Sequence, residues 1–169
     1  MKNKVKLIIL ISLTVQLCNA QTVRTVDEYK AKFDAIVPIL KLVEKDTSNY
    51  IGKPFSEFAK HLEECGAKII RLSISRHDNY ALPQHIYGIY LWFTTNEDRN
   101  LESPHGLRFP GIWIHFKGSK PYEKGVSLMR EYQASFTKEV EEFYSDAVIE
   151  SFNFYIPEDI YMPHARRNE

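Results

Sequence analysis

Ile86-Tyr87-Gly88-Ile89-Tyr90-Leu91-Trp92-Phe93-Thr94-Thr95 is the stretch that decides the fold. β-Branched and aromatic residues dominate it, and such side chains fit a pleated, half-buried surface. Alternation sends Tyr87, Ile89, Leu91 and Phe93 to one side and Tyr90 and Trp92 to the other. A second run, Gly111 to Lys117, repeats the pattern, with Ile112, Ile114 and Phe116 opposed to Trp113 and His115. Two further segments alternate. Lys68 to Ser75 sets Ile70, Leu72 and Ile74 against Arg71 and Ser73, with Ile69 as the exception, and Ala147 to Ile156 sets Phe152 and Phe154 against Asn153 and Tyr155 before Pro157 stops it.

Helical periodicity fills the spaces between these strands. Thr25-Val26-Asp27-Glu28 forms a capping box, in which the threonine hydroxyl and the glutamate carboxylate satisfy the first free amides of a helix. Val26, Tyr29, Phe33, Ile36, Val37, Leu40 and Val43 then make one apolar stripe to about Lys45, with Pro38 inside it as an expected bend. Asp46 to Gly52 reads as a loop. Pro54 opens a second helix whose face is Phe55, Phe58, Leu62 and Cys65 and whose end is Gly66. From Tyr122, the positions Val126, Met129, Phe136, Val140 and Phe143 predict one long helix to about Tyr144.

The element order ααβββαβ defines an α+β fold, a four-stranded, mostly antiparallel sheet with helices packed on one face. A single long helix before the last strand returns the chain to its starting edge. That strand is therefore expected to run parallel to the first and third, beside the first strand or at the far edge. No internal repeat or low-complexity linker divides residues 21–169, so they read as one globular domain.

Residues 1–20 read as a signal peptide. Lys2, Lys4 and Lys6 precede the apolar run Leu7 to Val15, and Cys18-Asn19-Ala20 offers small residues for cleavage before Gln21. The apolar run is well short of the ~20 residues of a spanning helix, so no transmembrane segment is expected after cleavage. Leu17 ahead of Cys18 argues against lipidation. The whole chain balances 22 basic against 22 acidic groups, but cleavage removes three lysines and no acid, leaving 19 against 22 and a net charge of −3. Electrostatic capture of nucleic acid or anionic lipid is thereby disfavoured. Cleavage also leaves Cys65 alone, so no internal disulfide can form, and the expected compartment is the periplasm or the extracellular medium of a bacterium.

Candidate chemistry concentrates on the polar side of the strands. Arg71, Tyr90, Trp92, Trp113, His115, Asn153 and Tyr155 combine aromatic bodies with hydrogen-bonding tips, a mixture suited to holding a glycan or a protein partner. The competing account covers this face with the first helix or the C-terminal segment, or assigns its aromatics to cross-strand pairs. Asn96 to Pro110 exceeds normal hairpin length. Its alternating Asn96, Asp98, Asn100 and Glu102 imitate a calcium loop, but Leu101 and Leu107 replace the required glycine and glutamate, so a solvated acidic loop is expected.

Metal and catalytic motifs are weak. His61 and Cys65 lie four apart on one helix, too few ligands for zinc, and Cys65 continues an apolar stripe and is expected to be buried. His77, His85 and His105 fall in loops without ligand spacing. No nucleophile elbow, phosphate loop, dinucleotide fingerprint or zinc-protease helix is present, and no cofactor is implied. The expectation is an exported, non-catalytic binding module. The alternatives are a small extracytoplasmic hydrolase with a Cys/His site and a self-assembling envelope protein that forms a homodimer through the same aromatic face.

Overall fold

The computed structural model describes residues 25–74, 85–101 and 106–160. The proposed leader, His77, His105 and the tail after Ile160 lie outside these segments. Four strands, β1 (Arg71–Ile74), β2 (His85–Trp92), β3 (Gly111–Pro121) and β4 (Ile149–Tyr155), form one sheet in the order β1-β2-β3-β4. Every neighbouring pair is antiparallel. The α+β class holds. The last strand lies at the far edge, one of its two expected places, but its expected parallel course does not hold, because β4 runs antiparallel to β3.

The reason lies in the preceding connection. The single helix expected from Tyr122 to Tyr144 is two, Tyr122–Glu131 (here α4) and Lys138–Tyr144 (α5). Between them Gln133 and Ala134 adopt left-handed backbone with φ of 51° and 61°, and Thr137 then caps α5 by accepting from the Val140 amide. Two helices joined by a reversal bring the chain back to the end at which β3 finished. Close approach fixes their seat: a Cβ on Gly125 would stand 2.3 Å from Ile86 Cδ1 and 3.1 Å from the Tyr144 hydroxyl. Glycine lets α4 pack that near the sheet.

The N-terminal helices follow the sequence closely. α1 (Val26–Asp46) begins with the Thr25–Glu28 capping box and runs through Pro38, and a 3-10 turn follows at Thr47–Asn49. α2 (Phe55–Glu64) has Pro54 at its N-cap and is followed by Gly66 at φ 87°. Leu40 and Val43 of α1, Phe55, Phe58 and Leu62 of α2, Leu128 of α4 and Val140 and Tyr144 of α5 join Leu72, Ile89, Leu91, Ile112 and Ile114 in the main core. Each such buried side chain contributes roughly 1.5–3 kcal/mol.

A second, smaller cluster forms at the end of the sheet where β2 stops and β3 starts. Tyr29 and Phe33 of α1 meet Leu107, Phe109 and Ile160, with Trp92 packed against them. The Tyr29 hydroxyl donates to the Arg108 carbonyl at 2.6 Å. A four-residue helix, α3 (Asn96–Arg99), lies in the expected acidic loop, and its cap corrects the solvated reading of that segment. Asp98 is 1% exposed and accepts from Lys32 Nζ of α1 at 2.8 and 3.0 Å. It also closes a capping box with Thr95, so the carboxylate fastens α3 to α1 instead of facing water.

Strand faces divide nearly as the alternation predicts, with exceptions ahead of β1, where Ile69 is buried in the core and Ile70 only half-buried, and at the start of β2. The β2–β3 register shifts between Ile86 and Gly88, so Ile86 is fully buried while Tyr87, expected on the core side, is only half-buried. β3 spends four residues, 116–119, where β2 spends Tyr87 alone, and this irregularity resets the facing of what precedes it.

Candidate functional site

Register brings the polar-side residues into cross-strand rows. Ser73, Tyr90, Trp113 and Asn153 form one row, Arg71, Trp92, Gly111 and Tyr155 the next, and Gly88, His115 and Ser151 a third. Five of the seven candidate residues, Tyr90, Trp113, His115, Asn153 and Tyr155, line a single open hollow of about 480 Å³, together with Phe154. No described helix contributes to that lining. The helices' buried residues lie in the core on the opposite face or in the cluster at the sheet end.

Arg71 and Trp92 stand outside the hollow. Arg71 is 5% exposed, with Nε donating to the Thr94 carbonyl at 2.9 Å and a terminal nitrogen to Asn96 Oδ1 at 2.9 Å. Its guanidinium lies 5.6 Å from the centre of the Trp92 ring, and the Trp92 indole donates to Ser73 Oγ at 3.2 Å. α1 and the segment after β4 cover this end through Tyr29, Phe33 and Ile160. These two residues therefore form a wall.

The rings make a continuous ladder. Tyr90 lies 4.2 Å from Trp92 and 5.9 Å, edge to face, from Trp113, and Trp113 lies 5.4 Å from His115. Two glycines absent from the candidate list make this arrangement possible. A Cβ on Gly111 would fall 2.2 to 2.6 Å from the outer atoms of the Tyr90 phenol, and one on Gly88 would meet the Ile114 carbonyl at 2.6 Å and Trp113 Nε1 at 3.5 Å. Tyr90 thus lies across the backbone at Gly111 and Trp113 leans over Gly88. Glycine within a strand is the legible signal of such a close approach.

Among the described residues no Lys, Arg, Asp or Glu lines the hollow. Burial, followed by the neighbouring Tyr155, pushes the Tyr90 phenol up to about 12, so it stays a protonated donor through the physiological range. The Trp113 indole N–H is buried and has no acceptor among the described residues. Asn153 is exposed and Tyr155 is 45% exposed, so the hollow opens on the β4 side.

The other candidate chemistry is dispersed. Cys65 is exposed, contrary to expectation, because it occupies the C-cap of α2, beyond the last helical turn of the apolar stripe. Its sulfur lies 3.7 Å from His61 Nε2, and the His61 ring stacks on Tyr50 at 4.9 Å. His85 Nδ1 is 3.0 Å from Ser119 Oγ, both exposed. Among the described residues no group of three metal-ligating side chains occurs, and no helix is long and apolar enough to cross a membrane. No protein-family model, curated protein or solved structure matches the chain.

Proposed function

We propose that the protein is an exported, non-catalytic binding module that holds its ligand on the β2–β3–β4 face, at Tyr90, Trp113, His115, Asn153 and Tyr155. The observation that carries this reading is the convergence of these residues on one hollow that no described helix lines. A purely structural role for the aromatics is a poorer fit, because the outermost, Tyr155, is nearly half exposed and the buried Trp113 indole N–H has no acceptor among the described residues. Among the described residues no Ser, Cys, Asp or Glu lines the hollow, which favours binding over hydrolysis. Export to the periplasm or beyond rests on the lysine-led apolar leader and belongs to the same proposal.

The test compares wild type with Tyr155→Ala and Asn153→Ala in a thermal-shift screen against saccharides, small metabolites and peptides. At least one class should raise the melting temperature of the wild type and not of the variants. Equal shifts in all three proteins would place binding elsewhere. Light scattering on the same samples separates the self-assembling alternative, since a dimer through this face would dissociate on Tyr155→Ala.

A further inference from the structure

Resting on the binding reading above, we infer that the hollow takes a neutral sugar, with a pyranose ring stacked on its aromatic floor and hydroxyls on its rim.

Charge is the first argument. The lining offers a phenol, an indole, an imidazole, an amide and a second phenol, and among the described residues no Lys, Arg, Asp or Glu is part of it. The nearest candidate cation, Arg71, is buried and engaged with Thr94, Asn96 and Trp92. A phosphate or carboxylate ligand would lose its hydration here with no Lys or Arg in the described lining to meet it. A polyol loses little, because each of its hydroxyls can both donate and accept, matching rim groups of mixed character.

Shape is the second. Gly111 and Gly88 allow Tyr90 and Trp113 to lie over the backbone, so the floor is built of two rings inclined at 73°, each offering a face to stack on. Such a floor suits the flat C–H face of a pyranose. His115 and Asn153 flank Trp113, at adjacent positions on β3 and β4, and place polar groups where ring hydroxyls would project. The volume of about 480 Å³ falls in the ordinary range for small-molecule sites.

An extended peptide fits less well, because adding a strand needs a free sheet edge. The start of β4 is already paired through Gly52, Lys53 and Pro54, and the start of β1 through Ala134, Ser135 and Phe136, which shortens the edge open to an added strand. Side-on capture of a ring needs no edge.

The experiment is calorimetric titration of the mature chain with cellohexaose, chitohexaose, mannohexaose and xylohexaose, with an oligogalacturonate as acidic control and a library of unstructured peptides as a separate arm. The expected result is saturable binding of at least one neutral oligosaccharide with Kd at or below about 1 mM. It should be insensitive to salt, because no ion pair forms. Tyr155→Ala and Trp113→Phe should each weaken it by about tenfold or more with the fold intact by circular dichroism. Absence of neutral-sugar binding, or binding that both variants retain, overturns the sugar inference. Peptide binding that is lost in Tyr155→Ala, with no sugar binding, overturns the sugar inference and upholds the binding reading. If nothing binds in a way that Tyr155→Ala changes, both fall.

Discussion

Gly111 and Tyr90 show how single residues set the site. The phenol occupies the space that any side chain at position 111 would need, so Gly111→Ala must expel the ring or shift the strand. Overpacking of this kind costs about 1–3 kcal/mol, and urea denaturation of Gly111→Ala should show a loss in that range together with loss of ligand binding. Trp113→Phe should behave differently. It removes a buried N–H that has no acceptor, so stability should change by less than about 1 kcal/mol while binding weakens. Tyr155→Ala, at an exposed site, should stay within about 0.5 kcal/mol. A residue needed for binding and not for folding is the pattern of a functional surface.

Tyr90 also carries a pH signature. Its folded pKa, about 12, lies above the ordinary tyrosine value, so the folded state holds the proton more tightly than the unfolded chain. The resulting stability is fully present below pH 10 and is lost as pH rises from about 10 towards 12. Burial also pushes Tyr144 upward, so Tyr90→Phe should remove only part of the alkaline loss. Spectrophotometric titration and denaturation between pH 9 and 12 measure both.

Elements reveal what the sequence makes legible and what it hides. Alternation located all four strands and their faces, since burial on one side of a pleat imposes period two. The irregularity opposite Tyr87 escaped because a change of register between two strands is not written in the alternation of either one. The helix break at Gln133 and Ala134 was hidden by their ordinary identities, as left-handed backbone is normally announced by glycine. Its one visible mark was the six residues from Arg130 to Ser135 that carry no position of the predicted apolar stripe. Ala134→Gly should accordingly stabilise the fold by about 0.5–1 kcal/mol in thermal or urea unfolding, by relieving that conformation.

The α1–α3 lock was equally hidden, because nothing local to Asp98 announces Lys32. Burial pushes the Asp98 carboxyl up, but hydrogen bonds from Lys32 and Thr95 outweigh it and hold the group below the ordinary aspartate range. A depressed folded pKa contributes stability above the unfolded value, near 4, that is lost as pH falls through the folded one. Asp98→Asn should therefore destabilise the protein by about 1–3 kcal/mol at neutral pH and flatten its acid unfolding below pH 4.

Across the whole molecule the sheet separates two tasks. One face carries the core beneath four of the helices, and the other divides between a covered end around Trp92 and the open hollow. Five of the seven candidate residues share the hollow because strand parity alone places them on one face, and only long-range packing could show that Arg71 and Trp92 are walled in. The aromatic ladder thus serves twice, stiffening the sheet through Tyr90 and Trp92 and flooring the hollow through Tyr90 and Trp113.

The most direct test is a two-dimensional NMR titration of the labelled mature chain with the neutral hexasaccharides. The account predicts that the Trp113 indole N–H and the amides of Tyr90, His115, Asn153 and Tyr155 move together and saturate, with α2 and α5 unmoved. Shifts centred elsewhere, or none at that indole on saturable binding, would contradict it.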